Sequence, residues 1–284
     1  MKENIRSELF FLKQFGFSSA LLQHVFLLGL DPIDVIFYQN SNQYELKRNL
    51  TKKETKLSMN IIEYKRFKID LFKNEELLRK NTYNKIFFKY DENELTKLIP
   101  NQIMPLFMYA KGDHTLLSES MKRVAIIGTR QPSDKAIRRT ELITKKYVKD
   151  NYVIVSGLAE GIDTISHNSA IDNGGKTIAV LPTNFNNIYP SKNKKLTKKI
   201  LNNGLLMTSI GPKENTYKSS FLERNKYVAN ISDLVIVTET NLKSGTMNTI
   251  RNASEANKKI LFFNQDDEAI NEKIYKFGGE MLDE

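Results

Sequence analysis

From residue 123 onward the chain alternates between two kinds of segment, and that alternation narrows the folds open to it. Six short runs, RVAIIG (123–128), YVIVS (152–156), KTIAVL (176–181), LLMTS (205–209), DLVIVT (233–238) and KILFF (259–263), are apolar without polar alternation. A strand with one wet face alternates in polarity, whereas a strand covered on both faces does not. Helical patterns fill the gaps at 134–150, 161–173, 191–203, 219–230 and 246–258. The repeat predicts an α/β fold: a Rossmann-like, doubly wound, mostly parallel sheet with helices on both faces. Residues 83–266 are its expected extent.

A small helical N-terminal domain is expected over residues 1–82. Leu9, Phe10, Leu12, Phe15 and Phe17, then Leu21, Leu22, Val25, Phe26 and Leu28, recur at helix-like spacing. Gly29 and Pro32 punctuate the helices, and a further helical stretch is predicted over about 52–80. This module reads either as a nucleic-acid-binding unit or as a packing or dimerisation element, with packing favoured. Residues 86–90 (IFFKY) predict a short strand, and PLFMYA (105–110) an edge strand closed by Gly112-Asp113. Residues 267–284 read as an acidic C-terminal tail holding one short helix. No apolar run approaches the roughly 20 residues that span a bilayer, and the N-terminus reads as mature sequence rather than a signal peptide. The chain has no cysteine, which excludes disulfides and thiolate metal sites and agrees with a cytoplasmic location.

Ligands of open α/β sheets bind beyond the carboxyl ends of the strands. After the first strand comes Gly128-Thr129-Arg130: a glycine for close backbone approach, a hydroxyl, and a planar fork that suits phosphate. After the second comes Ser156-Gly157, then Glu160, Gly161 and Asp163. A strand that stops at glycine and turns into a helix gathers free N–H groups at the positive end of the helix dipole. Asp163 reads first as a helix-start carboxylate. His167 reads as a packing residue or a helix-surface hydrogen bond rather than a metal ligand. The third loop, 182–196, carries Asn184, Tyr189-Pro190 and three lysines; it is either a phosphate-facing loop with a stacking aromatic or a solvated basic loop.

The segment after the fourth strand places Arg224, Asn225 and Lys226 beside Phe221 and Tyr227. Cations next to aromatics suit a single-stranded nucleic acid, since bases stack while cations track phosphates; the other reading is an amphipathic helix with a charged face. After the fifth strand, Ser244-Gly245-Thr246 opens a helix and offers another anion cradle. Walker-type, GxSxG and HExxH patterns do not occur. No catalytic residue, metal ligand or cofactor is assigned.

Net charge is +10, and residues 121–265 hold 23 basic against 11 acidic residues. The excess sits on the segment that bears the glycine turns, where it would attract a polyanion or merely solvate the surface.

In order, PLFMYAKGD (105–113), VAIIGTR (124–130), VSGLAEGIDTISH (155–167), GGKTIAVL (174–181), IYP (188–190), RNKYVANIS (224–232) and SGTMNTIRNA (244–253) resemble the DNA-processing protein A family, also called DprA or Smf. The resemblance covers about residues 86–264. It implies a Rossmann-like homodimer that binds single-stranded DNA, loads a RecA-type recombinase in transformation and is not an enzyme. Carried over, Arg130 and Arg224 are the leading DNA contacts, followed by Lys176 and Lys226. Gly128, Thr129, Ser156, Gly157, Asn225, Ser244 and Gly245 complete the cradle. Replacing Arg130 and Arg224 together by alanine is then expected to weaken DNA binding with the fold intact.

The chain departs from the family pattern at four places. Leu222 stands where proline is usual, and Lys226 where a second arginine is usual, which keeps charge but loses the fork. Pro182 and Asn184 replace glycines of a Gly-Thr-Gly turn. The rival reading is a nucleotide-binding sensor or a phosphoribohydrolase-like enzyme on the same fold. Such enzymes carry a PGGxGTxxE pattern, and the corresponding TETNLKSGTMNTI lacks its double glycine and its glutamate. Glu239 or Asp163 would then have to act as the acid.

Overall fold

The computed structural model describes residues 2–38, 50–73 and 83–283. The described residues build one nine-stranded sheet in the order β1-β2-β6-β5-β4-β3-β7-β8-β9. The strands are β1 (Lys85–Phe88), β2 (Phe107–Gly112), β3 (Arg123–Ile127), β4 (Val153–Ser156), β5 (Thr177–Val180), β6 (Leu205–Thr208), β7 (Leu234–Val237), β8 (Lys259–Phe262) and β9 (Gly279–Met281). From β6 to β9 every pairing is parallel, while β2 runs antiparallel to β1 and β6. β3 is the turning point: the chain winds outward through β4, β5 and β6 on one side, then through β7 and β8 on the other.

The apolar runs form strands because both faces are covered. Ala125, Ile127, Val155, Val180 and Val235 face one core, and Val124, Ile126, Ile154 and Ile236 face the opposite one. Four elements follow the N-terminal strands of the parallel sheet: α6 (Asp134–Lys149), α7 (Ile162–Asp172), α8 (Lys194–Ile200) and α9 (Lys218–Ile231). α10 (Gly245–Glu255) and α11 (Glu268–Lys276) come after β7 and β8, and α5 (Glu94–Leu98) lies between β1 and β2. Arg123 opens β3 and is 2% exposed. Its guanidinium donates to the carbonyls of Ile231 (2.7 Å) and Ser118 (2.8 Å), which lets a cation sit inside the sheet.

Ahead of the sheet lie α1 (Lys2–Phe15), α2 (Ser19–Leu27), a π-turn (Asp34–Tyr38), α3 (Lys52–Ser58) and α4 (Ile61–Lys73). The predicted helix over 52–80 is thus two helices, and its last residues lie outside the described ones. Ser18 caps α2 and Thr51 caps α3, and the Glu54 carboxylate ties the two starts by accepting from Ser18 and Thr51 hydroxyls at 2.6 Å each. Phe10 packs edge-on against Phe107 of β2, and Phe26 stacks on Tyr90 beyond β1. The helical module therefore shares its core with the β1–β2 hairpin.

Two expectations are corrected. The strand at 107–112 is not an edge strand; β1 covers it. The acidic segment 267–284 is not a tail: α11 buries Ile270 and Ile274 in the main core, and β9 pairs with β8 through Ile260↔Gly279 to Phe262↔Met281. Its exposed acids masked an i, i+4 apolar pair. None of the described helices is long and apolar enough to cross a membrane.

Candidate nucleic-acid interface

The loops that leave β3, β4, β5 and β7 at their carboxyl ends enclose a cleft of about 660 Å³. It opens beside β3, where the winding reverses, the usual place for a ligand in such a sheet.

One wall is the turn after β3. Thr129 donates its N–H to Glu239 O at 2.8 Å and accepts from Ile162 N–H at 3.1 Å. The Thr246 hydroxyl donates to Gly128 O at 2.9 Å. A Cβ on Gly128 would lie 2.8 Å from Glu239 O, so only glycine lets the two loops close up. Arg130 extends from this turn into solvent and makes no ion pair among the described residues.

The floor is built around Arg224. This side chain reaches from α9 to the ends of β4 and β5, where Nη1 donates to Gly157 O and, at 3.3 Å, to Val180 O. The Asp163 carboxylate lies 3.9 Å from Nη1. A Cβ at position 157 would overlap the guanidinium, so Gly157 is the seat of Arg224. Arg224 is 7% exposed, and its Nε has no partner among the described residues. Burial pulls its pKa down; Asp163 opposes that shift and the Arg130 charge adds to it.

Asp163 does not cap its own helix. Its Oδ2 accepts from the N–H groups of Gly157 (3.2 Å) and Ala159 (3.1 Å), folding the β4–α7 loop back on itself. Glu239 likewise accepts from Ser133 N–H at 2.8 Å. Both carboxylates proposed as acids in the enzyme reading are thus held by backbone donors.

The opposite wall is the start of α10. The Ser244 hydroxyl caps Met247 N–H at 3.2 Å and contacts the Thr240 hydroxyl at 2.8 Å, so its oxygen serves the helix start. Gly245 is exposed, and a Cβ there would meet only Asn225 Nδ2 at 3.7 Å, which leaves the helix start open to the cleft. Asn225 donates to Gly245 O at 3.1 Å and so fixes α9 to α10. Lys243 is exposed at this rim. At the mouth Tyr189, 49% exposed, meets Phe221 edge-on with centroids 5.4 Å apart, next to the half-exposed Leu222.

The cleft therefore gathers Gly128, Thr129, Arg130, Gly157, Arg224, Asn225, Ser244 and Gly245. Three expected residues lie elsewhere. Lys176 precedes β5, at the opposite edge of the sheet, and faces Asp113 at 3.8 Å. Lys226 points away and pairs with Glu223 at 2.8 Å. Ser156 is fully buried and donates to Ile126 O at 2.8 Å, a tie between strands. Tyr227 is a core residue rather than a stacking one. Asn184, 4% exposed, organises the third loop: it accepts from the N–H groups of Asn186 and Asn187 and donates to Glu214 O at 3.3 Å. Glu214 is in turn held by Lys13 of α1 at 2.7 Å, so the helical module braces this wall.

His167 is fully buried, with Nδ1 2.7 Å from the Thr177 hydroxyl. That hydroxyl donates its proton to Ile154 O at 2.8 Å, so Nδ1 carries the hydrogen and Nε2 is bare, without a partner among the described residues. Burial, then the Arg224 charge, push its pKa down to about 3. No group of three His, Cys, Asp or Glu suited to a metal occurs among the described residues. The folded pKa lies below the ordinary histidine value, so the unfolded chain takes the proton first as pH falls. Stability from this residue is full above pH ~6.5 and is lost toward pH ~3, by up to ~1.4 kcal/mol per pH unit. His167→Asn is expected to show a shallower fall of unfolding midpoint between these limits than the parent. Parallel curves would contradict it.

A sequence profile described as DNA recombination-mediator protein A matches residues 87–276. The chain belongs to that family. Among its relatives, the DNA processing protein DprA of Streptococcus pneumoniae is 37% identical over 156 residues, covering 55% of this chain and 54% of the relative. Protein Smf of Synechocystis is 34% identical over 62% of this chain and 45% of its own. The chain thus spans about half the length of these curated relatives. The crystal structure of S. pneumoniae DprA superimposes with a TM-score of 0.69 at 26% identity, covering 98% of this chain and 94% of that one. Helicobacter pylori DNA processing protein A, whose structure is described for its single-stranded DNA binding mode, gives a TM-score of 0.62 at 30% identity over 70% and 92%. The family match contains every strand of the described sheet except β1, whose start precedes it, and β9.

Proposed function

We propose that the cleft binds single-stranded DNA and that the protein is a cytoplasmic, homodimeric recombination mediator that passes the strand to a RecA-type recombinase. One observation carries the DNA reading. Arg130, Lys243 and the open start of α10 converge on one cleft, with an aromatic pair, Tyr189 and Phe221, at its mouth. Cations and helix N–H groups hold phosphates, and exposed ring faces stack bases of any identity. Family membership and the DNA binding of the H. pylori relative support the same ligand; the recombinase and the dimer rest on the family resemblance alone. Arg130 is assigned direct phosphate contact. Arg224 and Gly157 are assigned the shape of the floor, Asn225 and Ser244 the placement of α10, and Gly128 and Thr129 the turn that carries Arg130.

Binding is expected to favour single strands over duplex at equal salt. The log of the binding constant should fall linearly with log salt, by about 0.7 for each phosphate neutralised. A salt-titrated anisotropy assay on matched single- and double-stranded oligonucleotides checks both. Equal, weak binding to the two would reduce the interaction to general basicity and overturn the proposal.

A further inference from the structure

Between Asp172 and Glu214 the chain holds seven lysines and no acid. Five of them, Lys192, Lys194, Lys195, Lys198 and Lys199, fall on α8 and the turn before it, and all five are exposed. α8 buries Leu196, Thr197 and Ile200 against the sheet, which turns 194/198 and 195/199 outward as two rows of like charge one helical turn apart. Each such like-charge pair at i, i+4 destabilises a helix. Lys194 and Lys195 also occupy the first turn, where the dipole disfavours cations. None of these four makes an ion pair among the described residues. No carboxylate among the described residues relieves this repulsion, and a bound polyanion would.

The row begins at the cleft. Asn193, 6% exposed, donates to Leu158 O at 2.9 Å and to the Thr164 hydroxyl at 2.8 Å, pinning the start of α8 to the β4 loop. Lys192 pairs at 3.3 Å with Glu160, which lines the cleft together with Tyr189. The row ends at the opposite sheet edge. The turn after α8 accepts from Asp113 N–H through Gly204 O at 2.9 Å, and Asp113 is the partner of Lys176. The helix between covers about 10 Å.

We propose that the outer face of α8 is a second binding surface for the same ligand: a phosphate track that carries single-stranded DNA out of the cleft past Tyr189 toward Lys176. It rests on the cleft being a single-stranded DNA site. Lys176, absent from the cleft, would be the last cation along that track.

The test compares the full-length parent with the variant Lys194→Ser, Lys195→Ser, Lys198→Ser, Lys199→Ser on a dT length series at fixed salt. On the shortest dT that binds, the two should have the same affinity. With longer dT the parent should gain affinity and the variant should not, ending at least about tenfold weaker, with a salt slope lower by about 0.7 for each phosphate no longer neutralised. Superimposable length and salt dependences would overturn the track. So would an equal loss on duplex and single strands, or a loss already complete on the shortest dT. A parent that binds no dT of any length overturns the proposed function itself, and the track with it.

Discussion

Arg224→Ala is expected to lower the thermal unfolding midpoint by about 6 °C or more, and to abolish DNA binding through loss of the cleft floor. Removing one partner of a buried ion pair costs roughly 3–5 kcal/mol, and about 2–4 °C follows each kcal/mol in a domain of this size. Arg224 is 7% exposed, and its guanidinium joins three elements: its own helix α9, Gly157 O at the end of β4, and Val180 O at the end of β5. Truncation removes the donor to both carbonyls, opens a cavity under the cleft and takes the cation from beside Asp163. Asp163 keeps its two N–H donors, so the loop should loosen rather than unfold by itself. Arg224→Lys should recover part of the loss, because an ammonium keeps the charge and can donate to both carbonyls as Nη1 does, while its smaller head leaves part of the guanidinium's space empty. Gly157→Ala should resemble Arg224→Ala, since the added methyl takes the guanidinium's place. Calorimetry of the three variants decides it: a midpoint for Arg224→Ala within about 1 °C of the parent would show that the side chain is a surface contact after all. Contrary to the expectation from the family resemblance, replacing Arg130 and Arg224 together is therefore expected to cost the fold as well as DNA binding.

The parallel sheet is legible in the sequence because strands buried on both faces must be apolar throughout, and nothing else in the chain produces six such runs between helical patterns. The burial of Arg224 was legible too, in the helix period rather than in the motif. Arg224, Tyr227, Val228 and Ile231 stand at i, i+3, i+4 and i+7, and the last three are core residues. A cation on that stripe must enter the interior and find acceptors there. Lys176 could likewise be placed from order alone: it precedes its strand, so it cannot lie at the carboxyl edge where the cleft forms. The resemblance pointed to the cleft, and chain direction pointed away from it. What no local pattern announces is the seat. Gly157 and Arg224 are 67 residues apart, and only the packing of α9 against the ends of β4 and β5 joins them. The braces from α1 to Glu214, and from there to Asn184, are equally invisible, since each link crosses between elements that share no spacing rule. The C-terminal strand escaped because β9 has three residues, two of them exposed.

Arg130 should behave in the opposite way to Arg224. Arg130→Ala is expected to weaken single-stranded DNA binding about tenfold or more at low salt, and to lower the salt slope by about 0.7 for each phosphate it had neutralised. The unfolding midpoint should stay level or rise slightly. The side chain is exposed, and the turn that carries it is held by Thr129, Gly128 and Glu239 through backbone groups that the substitution leaves in place. Its charge also bears on Arg224: the repulsion between them helps to depress the Arg224 pKa, so removing Arg130 lightens the burden on the buried cation. Arg130→Lys should lie between parent and alanine variant, because the charge remains while the bidentate geometry is lost. Adding Lys243→Ala from the far rim should lower affinity further in roughly additive fashion, since the two side chains reach the cleft from different loops and share no partner among the described residues. Unchanged affinity of Arg130→Ala at matched salt would remove the DNA strand from this cleft. A lowered midpoint would instead make Arg130 a structural residue like its buried neighbour.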